Sequence, residues 1–114
     1  MNQKAPTPLY VAKAELFRAL AHPVRIRILE LLVGGDQNVA HLAKDTGLDA
    51  SSLSQHLAVV KRTGLVSSQR RGNTVTYSLT DPAVADFLTT ARRVIALQVN
   101  AVRQSLDDAL TGPQ

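Results

Sequence analysis

HLAKDTGLDASSLSQHLAVVKRTG, residues 41–64, predicts two helices joined by a three-residue turn. Leu53, Leu57 and Val60 recur at intervals of four and three residues, which places one apolar stripe on the second helix. Gly47 stands where the first helix should end in the left-handed conformation. Two short helices around such a turn are typical of the helix-turn-helix, whose second helix enters the DNA major groove.

The polar surface of the second helix carries no carboxylate. Between Ser51 and Thr80 there are four basic residues and no acidic residue, so this segment holds the whole net charge of +4. Lys and Arg beside hydroxyl and amide groups indicate a polyanionic partner, since contacts with phosphate release counterions. We therefore predict that this surface binds double-stranded DNA, with a chance fluctuation of charge as the alternative.

The candidate DNA contacts form two groups. Hydroxyl, amide and imidazole groups near the start of the helix suit bases or phosphates, and Gln55 suits either an adenine or a phosphate. Basic groups at the helix end and the following hairpin suit phosphates or the minor groove, and the alternative for both groups is a solvated surface. The predicted set is Ser51, Ser52, Ser54, Gln55, His56, Lys61, Arg62, Arg70, Arg71 and Asn73.

Helical patterns also cover the first part of the chain. One helix is predicted over residues 9–20, and a second begins at Pro23 and ends at the Gly34-Gly35 pair. Asn38 is a suitable N-cap for a third helix that runs to about Thr46, and Asp49 is a suitable N-cap for the fourth.

The last third of the chain predicts a β-hairpin and a long helix. Val75, Tyr77 and Leu79 alternate strictly, and the Gly72-Asn73 pair supplies two residues that tolerate positive φ at the tip. Pro82 then opens a helix of about 28 residues, or about 40 Å. The predicted fold class is mainly α with a β-hairpin wing (α+β), in the order four helices, two strands, one helix.

The predicted organisation is a flexible arm over residues 1–8, one DNA-binding and dimerisation domain over residues 9–110, and a tail over residues 111–114. The chain has no cysteine, no secretory h-region at its start and no uncharged apolar run long enough to span a bilayer. We therefore expect a cytoplasmic protein that has no membrane partner.

The sequences LFRALAHPVRIRILELL and HLAKDTGLDASSLSQHLAVVKRTGLVSSQRRGNTVTYSL, with the long last helix, resemble the ArsR/SmtB family of bacterial winged helix-turn-helix repressors. The resemblance covers roughly residues 16–88. It implies a homodimer, paired through the first and last helices, that binds a pseudo-palindromic operator and releases it when an inducer, often a metal ion, binds. The implied dimer contacts are Leu9, Leu16, Leu88, Ala91, Ile95, Val99 and Val102, although the stripe on the last helix could instead line a ligand pocket.

The usual sensor ligands of the family are missing. Its thiolate sites would place cysteines at or near Asn38 and Ala40, and its zinc-type site needs histidine in the last helix, where residues 81–114 have none. No cofactor is predicted, and a weak nickel or zinc site remains as an alternative. Its candidate ligands are His22, His41, Asp45 and His56, for which capping, packing or surface roles are the competing interpretation.

Of three further hypotheses, an enzyme is set aside and the other two stay open. Ser52 and His56 have the spacing of a nucleophile and its base, but they lack an oriented acid and a pocket, so an enzyme is not predicted. A winged-helix module that binds a protein through the same surface is the second hypothesis. In the third, a partner protein supplies the sensing or the regulator activates rather than represses.

Overall fold

The computed structural model describes residues 5–112 and contains eight elements of secondary structure. They are α1 (Leu9–Leu20), α2 (Pro23–Val33), β1 (Gln37–Asn38), α3 (Val39–Thr46), α4 (Ala50–Arg62), β2 (Val66–Arg71), β3 (Thr74–Leu79) and α5 (Pro82–Thr111). One compact unit ends at Asp81 and contains α1 to β3, and a second unit begins at Pro82 and contains α5. The predicted fold class and order of elements are confirmed, with one added strand.

Side-chain caps begin the two helices of the helix-turn-helix, as predicted. The Asn38 Oδ1 accepts the backbone N–H of His41 at 2.8 Å, and the Asp49 Oδ1 accepts that of Ser52 at 2.7 Å. Each cap satisfies an N–H group that has no partner within the helix. The hydrogen bonds from Ser52 also lower the pKa of Asp49, because they favour its charged form.

Gly47 ends α3 in the left-handed conformation, with φ 70° and its N–H donating to the Ala43 carbonyl at 2.9 Å. We expect Gly47→Ala to lower the free energy of unfolding by about 1–2 kcal/mol, because an L side chain is strained at this φ. A Cβ at Gly47 would meet no atom within 4 Å, so backbone strain and not crowding would cause the loss. Urea denaturation would measure it.

The matched control is Gly34→Ala at the end of α2. Gly34 has φ −75°, which alanine adopts freely, and an added Cβ would meet only the Leu31 carbonyl oxygen at an ordinary 3.5 Å. This variant should leave stability unchanged or raise it slightly. Equal losses in the two variants would contradict the role of Gly47 at the turn.

The strands form an antiparallel sheet in the order β1-β3-β2. The sequence did not predict β1, which pairs Gln37 with Tyr77 and Asn38 with Thr76. The predicted hairpin is present, and of the two tip residues that tolerate positive φ only Gly72 adopts it. Gly72 has φ 61°, and within residues 5–112 no residue other than glycine has positive φ.

The apolar stripe of α4 is buried, as its periodicity predicts. It packs with side chains of α1, α2, α3 and β2 in the first unit, so the polar surface of α4 is left outside. The buried apolar residues of this unit are Leu20, Ile28, Leu29, Leu32, Leu42, Leu53, Leu57, Val60 and Val66.

Helix α5 is the second unit and carries exposed apolar side chains along its length. Ile95 is 57% exposed, Val99 51%, Val102 61% and Leu106 59%. None of the helices in residues 5–112 combines the length and the apolar character that a membrane span needs.

The predicted arm and tail lie partly outside the described residues, which exclude residues 1–4 and 113–114. Residues 5–8 have no regular secondary structure, and α5 continues through Thr111, one residue beyond the predicted end of the domain. The boundaries at residues 8 and 110 therefore stay predictions.

Candidate nucleic-acid interface

The first half of α4 presents a polar surface opposite its buried stripe. Ser51, Ser54 and Gln55 are exposed, whereas Ser52 and His56 are half-buried beside Leu53. Helix α4 itself has no carboxylate. The carboxylate of Asp49, which precedes the helix, accepts the backbone N–H of Ser52 in the first turn. The exposed hydroxyl and amide groups can donate to and accept from base edges or phosphates.

The end of α4 is connected to the hairpin by a side-chain hydrogen bond. The Lys61 Nζ donates to the Ser68 Oγ in β2 at 2.7 Å, and both Lys61 and Arg62 are exposed. The acceptor is a neutral hydroxyl, so this contact does not pair Lys61 with an anion. This bond places the Lys61 cation beside β2 of the hairpin.

Alternation along β2 separates its two arginines. Arg70 lies on the strand face of Val66 and Ser68, and Arg71 lies on the opposite face, since successive residues of a strand point to opposite sides. Arg71 pairs with Thr74 beside the turn. Arg70, Arg71 and Asn73 are all exposed at the end of the hairpin.

No carboxylate among the described residues neutralises the arginines of this surface. Among residues 5–112, no carboxylate forms an ion pair with Arg62, Arg70 or Arg71. By contrast, Arg27 in α2 forms two hydrogen bonds to Asp45 in α3, at 3.1 and 3.3 Å. The cations of α4 and the hairpin are thus available to an external anion, whereas Arg27 is not.

Arg25 contacts His56 on α4 and was not among the residues that the sequence predicted. Its Nε donates to the His56 Nδ1 at 3.1 Å, and its Nη1 donates to the Ala19 carbonyl at 2.8 Å. The His22 ring lies against the His56 ring with centroids 4.3 Å apart. The Ala-His-Pro-x-Arg run at residues 21–25 was the signal that could have drawn attention to this position.

Comparison with known proteins identifies the family. The model of the bacterial regulatory proteins of the arsR family matches residues 22–68, which include α2, the helix-turn-helix and the start of the hairpin. An uncharacterized HTH-type transcriptional regulator of Mycobacterium tuberculosis, Rv0081, is 47% identical over 106 residues, which are 92% of this chain and 93% of that protein. This chain belongs to the ArsR family.

Other similar proteins and solved structures agree with this assignment. The crystal structure of Rv0081 superposes with a TM-score of 0.77 at 49% identity, over 86% of this chain and 98% of the other. The homodimeric winged helix-turn-helix DNA-binding domain of a Mycobacterium bovis protein matches with a TM-score of 0.72 at 28% identity, over 84% and 91% of the two chains. A probable mercury resistance operon repressor of Streptomyces lividans is 36% identical over 83 residues, which are 73% of this chain and 66% of the repressor.

In this ArsR-family chain the candidate metal ligands already have hydrogen-bond partners. The His22 Nδ1 accepts from the Val24 N–H at 3.1 Å, and the His41 Nδ1 lies 3.3 Å from the Gln37 Oε1. The capping role of His22 agrees with the structural alternative for this residue. Asp45 is bound by an arginine, and within residues 5–112 no group of three or more His, Cys, Asp or Glu side chains could hold a metal ion. A metal site with two of these ligands stays a prediction.

The proposed nucleophile–base pair of the enzyme hypothesis is not formed in this ArsR-family chain. The His56 Nδ1 accepts from Arg25, and no hydrogen bond in the described residues joins His56 to Ser52. A serine hydroxyl without a base to accept its proton is a poor nucleophile. In the described residues, the partner of His56 is therefore Arg25 and not Ser52.

Proposed function

We propose that the protein is a transcriptional regulator that binds double-stranded DNA as a homodimer, through the surface of α4 and the hairpin. We call this surface the basic face. One observation carries the proposal: exposed polar and cationic groups from α4 and the hairpin lie in one compact unit, and no carboxylate of residues 5–112 forms an ion pair with them. The basic face consists of Ser51, Ser54, Gln55, Lys61, Arg62, Arg70, Arg71 and Asn73.

In this proposal, α4 enters the major groove and the hairpin contacts the neighbouring backbone or minor groove. Ser54 and Gln55 are suited to base edges, and the cations are suited to phosphates. Two copies of the chain would read half-sites about 34 Å apart, one helical turn of DNA. Repression is the sign of regulation that we propose, because relatives named as repressors match this chain. The cytoplasm is the compartment in which such an operator is accessible.

The exposed apolar stripe of α5 supports the dimer. Side chains such as Ile95 and Val102 are more than half exposed, and an extended apolar surface of this kind marks a protein contact. Leu9 on α1 is 69% exposed as well, while Leu16, Leu88 and Ala91 are half-buried within the chain. The homodimeric Mycobacterium bovis domain gives the proposal a precedent.

Removing one cation at a time tests the phosphate contacts. Lys61→Ala and Arg71→Ala should each weaken binding to the operator and to an unrelated duplex by similar factors. Each should also reduce the dependence of log affinity on log salt by about 2 per dimer, because one phosphate contact per subunit contributes about 1. Fluorescence anisotropy with labelled duplexes over a salt series would measure both quantities.

Arg93→Ala is the matched control, because it removes an exposed cation of α5 that is not part of the basic face. It should leave the salt dependence unchanged. If wild-type binding does not decline with salt, or if the three variants behave alike, the basic face does not bind DNA. A surface that docks a partner protein would then be the better assignment.

We propose that sensing does not use the usual ligand sets of the family, because this chain has no cysteine and residues 81–114 have no histidine. Operator affinity should therefore stay constant when Zn²⁺ or Ni²⁺ is added, and a partner protein should supply the signal. A metal-dependent change in affinity that His22→Gln or His41→Gln abolishes would contradict this and would locate the weak metal site.

A further inference from the structure

Arg25 joins three helices through its guanidinium group. The residue lies in the first turn of α2 and is half-buried. Its Nη1–H group donates to the carbonyl of Ala19, near the end of α1, and its Nε–H group donates to the His56 ring on α4. A cation is stabilised at a helix C-terminus, where carbonyl groups lack partners within the helix. The contact with α1 therefore fixes the orientation of the donor that faces His56.

This contact determines the protonation of the His56 ring. An arginine can donate but never accept, so the His56 Nδ1 must be the acceptor, and the neutral ring then carries its proton on Nε2. Within residues 5–112 the Nε2 atom has no hydrogen-bond partner, and no side-chain nitrogen or oxygen is buried without one. The Nε2–H group therefore reaches solvent from α4.

We propose that Arg25 is a positioning residue for DNA binding, which holds the His56 ring in its neutral, Nε2-protonated form so that this N–H can donate to a phosphate or base oxygen. The inference rests on the proposed function, because it assigns the orienting partner of one side chain on the DNA-binding helix. Arg25 itself acts through His56 and makes no contact with DNA in this proposal.

The neighbours of His56 also oppose its protonation. Burial lowers the pKa of His56, and the like charges of His22 and Arg25 lower it further. His22 and Arg25 are the charged or titratable groups that shift the pKa of His56. Within the described residues, no carboxylate of α1, α3 or β2 contributes to this shift. A proton on Nδ1 would also remove the acceptor of the Arg25 hydrogen bond.

The pH dependence follows from the sign of this pKa shift. The folded protein favours the neutral His56 ring. Its contribution to the free energy of unfolding is therefore complete above the ordinary histidine pKa of about 6.5, and it is lost as the pH falls through the lowered pKa. A freely exposed histidine would instead gain charge below pH 6.5 and bind phosphates more tightly. Operator affinity should therefore not rise between pH 7 and pH 6 through His56.

The test combines a spectroscopic measurement with binding. Two-bond ¹H–¹⁵N correlation spectra of the free wild-type protein should show His56 with its proton on Nε2. Arg25→Gln should mix the two tautomers, raise the pKa of His56 and lower operator affinity about tenfold, the effect expected for losing one hydrogen bond of ordinary strength. Arg27→Gln is the control, since it is the same substitution on the same helix, at an arginine that contacts Asp45 and not His56.

A double-mutant cycle separates positioning from direct contact. In the His56→Ala background, Arg25→Gln should have no further effect on operator affinity. Additive effects would show that Arg25 acts independently of His56, and a wild-type His56 protonated on Nδ1 would also overturn the inference. If Arg25→Gln does not fold, two measurements decide the question. One is the wild-type spectrum, and the other is the His56 tautomer in Arg25→Lys, which keeps the charge but loses the Nε donor. Failure of the proposed function would instead appear as a wild-type protein that binds no duplex whatever its tautomer.

Discussion

A chain that carries both Ile95→Glu and Val102→Glu is expected to be a monomer and to lose operator affinity by a factor of about a thousand or more. The two side chains are seven residues apart on α5, so they lie on one side of the helix, two turns apart. Carboxylates at both positions would bring like charges together across a two-fold interface and remove its apolar contacts. A monomer can occupy one half-site only, so most of the specific affinity would be lost.

Sedimentation velocity would measure the oligomeric state and fluorescence anisotropy the affinity. Thr90→Glu with Asn100→Glu is the matched control, because both residues are exposed and lie on the other side of α5. This control adds the same charge and should remain dimeric. A dimeric Ile95→Glu, Val102→Glu variant would show that the stripe on α5 has another partner, such as a ligand or a different protein.

The second large effect is expected for Gln55→Ala, which should lower the preference for the operator over a scrambled duplex by about 1–3 kcal/mol per half-site. Gln55 is exposed on the first half of α4, and its amide can pair with an adenine edge through two hydrogen bonds. The alanine variant keeps every cation of the basic face. Binding to a scrambled duplex should therefore be unchanged, and only discrimination should fall.

Competition between labelled operator and scrambled duplex, with the operator chosen by selection from random duplexes, would measure this preference. Gln98→Ala is the control, because it removes an exposed amide from α5 and leaves the basic face intact. Equal losses on both duplexes would mean that Gln55 binds a phosphate. That outcome would move base recognition to Ser54 or its neighbours.

Local signals predicted most of the fold because they act over a few residues. Asn38 and Asp49 cap the helices that follow them, and Gly47 adopts the left-handed conformation, as the sequence predicts. The short strand β1 could not be predicted, since a period of two cannot be recognised in two residues. Its pairing depends on Tyr77 and Thr76, about 40 positions away.

The candidate site was predictable by residue type but not by contact. The charge pattern identified the cations of the basic face, and helical spacing separated Gln55 from the buried stripe. Arg25 was missed because its partner His56 is 31 residues away, and no local pattern shows such a contact. The cross-strand partners of Arg70 and Arg71 likewise became clear only when the register of β2 was known.

The hydrogen bond between Lys61 and Ser68 has a consequence for the DNA itself. Because it joins the end of α4 to the hairpin, this bond favours one separation between the two elements already in the free protein. In our proposal these are the elements that contact the wide and the narrow groove. A duplex whose grooves do not match that separation would have to bend or change its groove width to satisfy both. Base steps that deform easily would be favoured even where no side chain touches them.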